Sequence, residues 1–358
     1  MIAAPAGLAQ VLGGDPGPHT VSALPHNAGN AVTAGIWRYA GEGWSVIGKE
    51  VSPRGTGLDH WASSEQPGHW NYWRREVLAY RSGLAASAYS GSGIRPPRLL
   101  GVTERPGGAV LLWLEDVAGT PGPQWDVAGV AAFAAALGRG QGAYLAGRPF
   151  PEHDWLSRRW LRQYVSARSV NGLLAAGETY GDLAPGLGRL WADRDDLLSA
   201  VEGLPQTLCH CDVWPQNLVR TAEGSVLLDW AFVGIGAIGE DAGNLVPDCV
   251  WDGFLPTDAL TELAGAVWTG YLAGLRVAGW SGDERLARLG FTAGGAVKYA
   301  WLAQWSLHRL AAGDLGSYGG YSSADPEQLL ATYREVFRLL LDWADEAYAL
   351  RAELRLPP

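Results

Sequence analysis

Leu208-Cys209-His210-Cys211-Asp212-Val213-Trp214-Pro215-Gln216-Asn217, followed after a short gap by Val226-Leu227-Leu228-Asp229-Trp230, is the stretch on which the fold turns. It has the form HxDxxxxN, a short hairpin, and an apolar strand that ends in Asp. Transfer of a phosphoryl group from a nucleotide needs a carboxylate to take the acceptor's hydroxyl proton, and oxygen ligands for the hard cations that bridge the phosphates. Asp212, Asn217 and Asp229 supply that set. A loop residue and a strand-end residue joined by a hairpin can converge on one point, which accounts for the spacing.

The whole chain of 358 residues is 47% hydrophobic and 18% charged, which excludes disordered, collagen-like and disulfide-scaffold classes. Its length suffices for two lobes with a cleft between them. A net charge of −10 denies it the positive field that holds nucleic-acid phosphates, so nucleic acid is not an expected partner; an acidic surface favours cationic small molecules. Three cysteines, Cys209, Cys211 and Cys249, are too few and of the wrong parity for a disulfide framework, and fit a reducing cytoplasm. Cys209-His210-Cys211 does not read as a metal site, because strand alternation throws His210 opposite the two sulfurs and no fourth ligand follows. The stretch from Met1 to Gly14 has no basic residue before its apolar part, and the longest apolar run, Val127 to Leu137, is too short for a bilayer. Neither export nor a membrane partner is expected.

Of 27 basic residues only two are lysine, Lys49 and Lys298. A lysine that survives among so many arginines marks a place where a compact ammonium serves and a planar guanidinium does not. Lys49 stands on a strand-like run, Trp44 to Val51, where alternation can point it into a cleft, and Glu76 on the following helix can pair with it. Lys298 reads as a helix residue with its head at the surface and no role.

Strands are expected at residues 32–39, 44–51, 99–103 and 109–114, with one helix at 70–84 that stops at Gly83. From Asp126 the period changes to 3.6, with helices expected at 126–146, 154–175, 187–202, 257–278, 281–312 and 326–353 around a strand-rich island at 206–229. The pattern predicts an α+β, bilobal chain: a small mixed β-rich first lobe, residues 1–117, and a larger, mainly helical second lobe, residues 118–358. The Gly/Pro-rich bridge Gly119 to Pro123 joins them.

These motifs resemble those of the aminoglycoside phosphotransferase and choline kinase family, over most of the chain. The resemblance implies the protein-kinase-like fold, with Asp212 as catalytic base, Asn217 and Asp229 as magnesium ligands and His210 as brace of the loop. It implies that Lys49 binds nucleotide phosphates, that Glu76 orients it, and that Leu114-Glu115-Asp116-Val117 is the hinge, where the C=O of Glu115 and the N–H of Val117 read adenine. Where protein kinases have GxGxxG, this chain has His26-Asn27-Ala28-Gly29-Asn30-Ala31-Val32-Thr33, which makes Asn30 a nucleotide-side residue. Cys211 stands where protein kinases carry Arg, as in the small-molecule group, and argues against a protein substrate. Asp241 reads as a helix-capping support of the loop. Glu240, Asp248, Trp251 and Asp252 combine carboxylates with an aromatic ring, which suits an amine-bearing or sugar-like acceptor. Trp301 and Trp305, at helical spacing, read as core.

The expected activity is transfer of the γ-phosphoryl of ATP or GTP, with Mg2+, to a hydroxyl of a small molecule, an aminoglycoside-like or other antibiotic. The alternatives are a metabolic kinase acting on an amino sugar or choline-like alcohol, and a nucleotide-binding pseudokinase without transfer. Oligomeric state is not readable from the sequence.

Overall fold

The computed structural model describes residues 7–168, 179–316 and 322–356. The part of the expected 154–175 helix beyond Arg168, and the first six residues of the N-terminal stretch, lie outside the described residues.

Strands β1 (His19–Ala23), β2 (Thr33–Gly41) and β3 (Trp44–Val51) form a meander, and two short strands follow: β4 (Ile94–Arg95) and β5 (Leu99–Glu104). With β6 (Val110–Glu115) they build an antiparallel five-stranded sheet in the order β1-β2-β3-β6-β5, which β4 does not join. Strand alternation decides the rest of this lobe. Val46, Leu111 and Trp113 face outward into a small cluster with Leu8 and Tyr39. Ile47, Val51, Leu112 and Leu114 face inward, toward Val77 and Tyr80 of the helix Arg75–Arg81. Lys49, two residues from Ile47 and Val51, shares that inward face. Gly48 points the other way, where a Cβ would stand 2.9 Å from the Tyr39 ring, so the glycine makes room for Tyr39 to pack on Trp113 and leaves Lys49 undisturbed.

The next strands are β7 (Thr120–Pro121), β8 (Ser157–Arg158), β9 (Gln206–Cys209), β10 (Leu218–Thr221), β11 (Gly224–Leu227) and β12 (Gly234–Ala237). The β10–β11 hairpin is flanked by β4 on one side and β7 on the other, so strands from before and after the first lobe's last strand hold it. β12 pairs antiparallel with β9 and parallel with β8.

Helices surround these sheets. Asp126 caps Val127–Leu145 by accepting from the Gly129 N–H at 2.8 Å, and Asp325 caps Pro326–Glu353 in the same way. Val127–Leu145 lies against Leu260–Val277 with glycines at the crossing: a Cβ on Gly274 would sit 2.1 Å from the Ala135 carbonyl oxygen. In an open helix Gly→Ala stabilises by about 1 kcal/mol. Here the sign should reverse, so Gly274→Ala is expected to lower the unfolding midpoint by about 1–3 kcal/mol, the usual cost of overpacking; a raised Tm would contradict the close crossing.

Several expected helices are shorter or divided. Residues 70–84 hold Arg75–Arg81 only, and Gly83, at φ 77°, separates it from Leu84–Ala88. Residues 187–202 fall into Ala184–Ala192 and Arg194–Glu202. The expected 281–312 helix breaks into Glu284–Tyr299 and Leu302–Ala311, because the Trp301 indole donates to the Lys298 carbonyl at 3.0 Å and takes the acceptor that the Leu302 N–H would have used. Glu240–Trp251 is a helix that the pattern did not announce. All twelve of its residues are buried, so it has no polar face to give it a period. Among the described residues no helix is long and apolar enough to cross a membrane.

Candidate active site

β9 delivers the chain to a turn that is held from below. Cys211 sits at φ 66°, a left-handed conformation that costs a non-glycine residue about 1–3 kcal/mol unless its surroundings enforce it. Asp241 supplies that enforcement: its carboxylate accepts the N–H of His210 at 2.8 Å and of Cys211 at 2.9 Å. Gln141 donates to the same carboxylate at 2.8 Å and is itself gripped by the Tyr271 hydroxyl at 2.6 Å. The His210 ring is fully buried, edge-on to Trp230 with centroids 5.0 Å apart. Burial pushes its imidazole down to about 4, partly opposed by the Asp229 carboxylate, so it is neutral at pH 7 and packs the turn without reaching the cleft.

Beyond this brace Asp212 is half-buried, and its carboxylate accepts from Asn217 Nδ2 at 2.8 Å. The same Nδ2 donates to the Asp212 carbonyl at 3.0 Å, and the Leu228 N–H donates to the Asn217 carbonyl at 2.8 Å. The hairpin therefore returns to its own start, and Asp229 stands at its end with φ 56°. Burial, reinforced by the Asp229 charge, pushes the Asp212 carboxyl up to about 7 against the pull of Lys298.

Lys49 crosses from the sheet to meet this hairpin. Its Nζ lies 2.7 Å from Glu76 Oε2 and 2.8 Å from Asp229 Oδ1, with the lysine and glutamate almost fully buried. Burial would lower the ammonium's pKa, but the Asp229 and Glu76 charges more than offset it and hold the group above its ordinary value. Burial likewise acts to raise the Asp229 carboxyl, and Lys49 holds it below the usual range. One ammonium thus faces two carboxylates, with Asp212 close behind. Asn217 turns its Nδ2 to Asp212, which leaves Oδ1 outside that contact, and Asp229 offers carboxylate oxygens. Such hard donors suit Mg2+, which takes its remaining ligands from phosphates and water. Among the described residues no three His, Cys, Asp or Glu side chains cluster to hold a metal unaided.

Helix Arg75–Arg81 is fastened across the cleft by its first residue. Arg75 is fully buried and uses all its donors on backbone carbonyls: Nε on Trp155, Nη1 on Trp70 and Ala231, Nη2 on Pro67 and His69, at 2.6 to 3.2 Å. Ala231 lies just after Asp229 and Trp155 just before β8, so the residue next to Glu76 is tied to the second lobe.

At the proposed hinge, the Glu115 carboxylate is held by Arg95 at 2.8 and 2.9 Å and by the Arg98 N–H at 2.9 Å. Asp116 is gripped by Arg38 at 2.7 and 3.0 Å and by Ser45, and Val117 follows, half-buried. The Asn30 side-chain oxygen accepts from the Val32 N–H and from Asn71, both at 3.1 Å, so it fixes its own loop. That loop is pinned to the segment before helix Arg75–Arg81 by Leu58 N–H to Gly29 and Ala31 N–H to Trp61.

The acceptor-side residues are not brought together as a surface. Trp251 is core, packed edge-on to Tyr333 and Phe337. Asp252 is 5% exposed. Asp248 is buried against the Tyr299 hydroxyl and lies 3.5 Å from Lys298 Nζ. Lys298 is therefore not at the surface: it is 5% exposed, and its ammonium lies near Asp248, Asp212 and Asp241. Its scarcity, the argument that singled out Lys49, was the available signal for this second lysine.

Glu240 is buried with its carboxylate 3.3 Å from the Ala237 N–H. Burial, reinforced by Asp241, pushes its carboxyl up to about 7. An unfolded glutamate ionises near pH ~4.3. Between those values the folded protein keeps a proton that the unfolded chain has lost. This group's contribution to stability is thus full below the ordinary value and is lost as pH rises through about 7. Glu240→Gln keeps the acceptor and removes the titration, so its Tm relative to the native chain is expected to climb from pH 4.5 to 7.5; a pH-independent difference would contradict the buried proton.

The phosphotransferase enzyme family model matches residues 86–284, more than half of the chain and the whole of the loop and hairpin described above. Comparison with curated proteins gives no match. Among solved structures, an amicoumacin kinase in complex with AMP-PNP and Ca2+ is similar at 17% identity and TM-score 0.55, covering 88% of this chain and 87% of that one. A spectinomycin phosphotransferase in complex with ADP and spectinomycin is similar at 12% identity and TM-score 0.53, covering 93% of both chains. A choline/ethanolamine kinase family protein from Mesorhizobium loti is similar at 16% identity and TM-score 0.51, covering 93% and 92%. At these identities the likeness is one of fold, a bilobal kinase-like α+β architecture.

Proposed function

The chain belongs to the phosphotransferase enzyme family, and from that premise we propose that it transfers the γ-phosphoryl group of a Mg2+-bound nucleoside triphosphate, ATP or GTP, to a hydroxyl of a small molecule. The observation that carries the proposal is the Lys49 ammonium held between Glu76 and Asp229 at 2.7 and 2.8 Å, next to a hairpin that pairs Asp212 with Asn217. In this reading Lys49 turns to the α- and β-phosphates, kept in place by Glu76, and the 115–117 backbone seats the base. Asp229 and Asn217 would hold Mg2+, whose charge would neutralise that developing on the phosphate oxygens. Asp212 takes the acceptor's proton as its oxygen bonds to the γ-phosphorus, and the bond to the β-phosphate oxygen breaks to leave the diphosphate. His210 and Asp241 keep the turn in shape.

The neighbours' printed acceptors, amicoumacin and spectinomycin, and the choline and ethanolamine of the third neighbour's family name, favour a small hydroxyl-bearing compound of antibiotic or metabolic-alcohol type over a protein. The test is thermal stabilisation by AMP-PNP with and without Mg2+. The native chain should be stabilised only with both present, and Asp229→Ala should lose the magnesium-dependent part, with affinity falling by about tenfold or more. Equal stabilisation of the variant would remove Asp229 from the metal role; no stabilisation of the native chain by AMP-PNP or by its guanine counterpart GMP-PNP, with Mg2+, would remove the function.

A further inference from the structure

Between the two lobes lies a cavity of about 410 Å³. One edge is His60, from the segment that pins the Asn30 loop; the other is helix Leu302–Ala311, one turn beyond Lys298. Lys298, one turn before that helix, has its ammonium near Asp212 and Tyr164, and Tyr164 in turn packs on Arg168, which connects the cavity to the catalytic turn. Arg168 lines it, with only 6% of its surface exposed. Four rings enclose its guanidinium: Tyr164 at 4.1 Å, Trp61 and Trp301 at 4.9 Å, and Trp70 at 5.6 Å. One nitrogen, Nη1, donates to the His60 carbonyl at 2.9 Å. Nε and Nη2 have no hydrogen-bond partner, and no carboxylate hydrogen-bonds to the group, among the described residues.

A buried cation without a counter-charge is costly, and aromatic faces offset only part of that cost. The planar fork, buried and left without partners, matches a carboxylate or phosphate, which it can hold through two parallel N–H···O bonds once the rings give way to the ligand. The rest of the lining agrees. Gln304 and His308 add polar groups and Arg309 a second positive charge at the rim, against the single acid Asp59, itself exposed. Burial and the Arg168 charge push His60 down, so it adds none. Glu240, Asp248 and Asp252, the acids expected to draw a polycation, do not line this cavity.

We propose that this cavity binds the acceptor through an oxyanion held by Arg168, with the acceptor's flat or apolar part against Trp301 and Trp305, so that the substrate class is a hydroxyl-bearing carboxylate or phosphate and not an aminoglycoside polycation. The proposal rests on the phosphotransferase reading. Its test compares three probes that share a phenol hydroxyl: 4-hydroxyphenylacetate, its methyl ester, and tyramine. Binding is measured by calorimetry with the full chain, with and without Mg-AMP-PNP. The carboxylate should bind about tenfold or more tighter than the ester, with tyramine weakest. Both Arg168→Gln and the exposed-site change His308→Glu should erase most of that preference, and His308→Glu spares the buried cage. Equal binding of ester and carboxylate, a preference for tyramine, a carboxylate preference that survives both variants, or no binding at millimolar concentration would each overturn the proposal. Loss of AMP-PNP binding with the carboxylate preference intact would sink the phosphotransferase reading and leave the oxyanion site standing.

Discussion

Asp212→Asn is expected to cut turnover by about a thousandfold or more while nucleotide affinity stays within about a factor of two, because the acceptor's hydroxyl, not the nucleotide, is the proposed partner of this carboxylate. Asparagine is the right substitution because its oxygen can still accept from Asn217 Nδ2, the bond that now closes the turn at 2.8 Å. The turn's remaining support, from Asp241 to the His210 and Cys211 amides, is untouched. A loss of rate therefore cannot be blamed on a collapsed loop. The measurement pairs ADP release with calorimetric titration of Mg-AMP-PNP. A variant that turns over at more than a tenth of the native rate would end the assignment of Asp212 as base.

Arg75→Met should be the most damaging change to stability. Methionine fills much of the same volume, yet it leaves the carbonyls of Trp155, Trp70, Ala231, Pro67 and His69 without the donors that now reach them. Buried acceptors stripped of charged donors cost about 1–3 kcal/mol each before relaxation, and breaking such a buried group typically totals about 3–5 kcal/mol. The loss should appear in the denaturant midpoint. Arg75→Lys should recover only part of it, since an ammonium carries three donors and no fork. A midpoint within about 0.5 kcal/mol of the native value, the range of an ordinary surface change, would refute the fastening role.

The chemistry-bearing stretch was legible because it is local: one turn and one hairpin hold Asp212, Asn217 and Asp229. Lys49 was legible because its strand alternates and lysine is scarce. What was not legible depended on burial by distant segments. Lys298 stands in Ala296-Val297-Lys298-Tyr299-Ala300-Trp301, an apolar run in which a lysine reads as an interruption at the surface. In the folded chain that run is buried throughout, and the interruption meets Asp248. The helix Glu240–Trp251 hid for the same reason, because with every side covered it offers neither a polar face nor a helical period, and its Gly243 and Pro247 look like loop residues. Its acids and Trp251 therefore looked like an acceptor surface when they are interior. Trp301 and Trp305 read as core, and Trp301 is a buried member of it with Trp305 packed against it; that one side of each also lines the cavity has no sign in the spacing. Arg168 carried no local sign at all, since its cage is assembled from Trp61, Trp70, Tyr164 and Trp301.

Arg75 also bears on control. Kinases that answer to signals swing the glutamate-bearing helix away from its lysine and so fall silent. Here that helix is bolted to the opposite lobe beside Glu76, and the lysine contact is already made. In this structure the lysine and glutamate already meet, so that contact needs no movement of the helix to form.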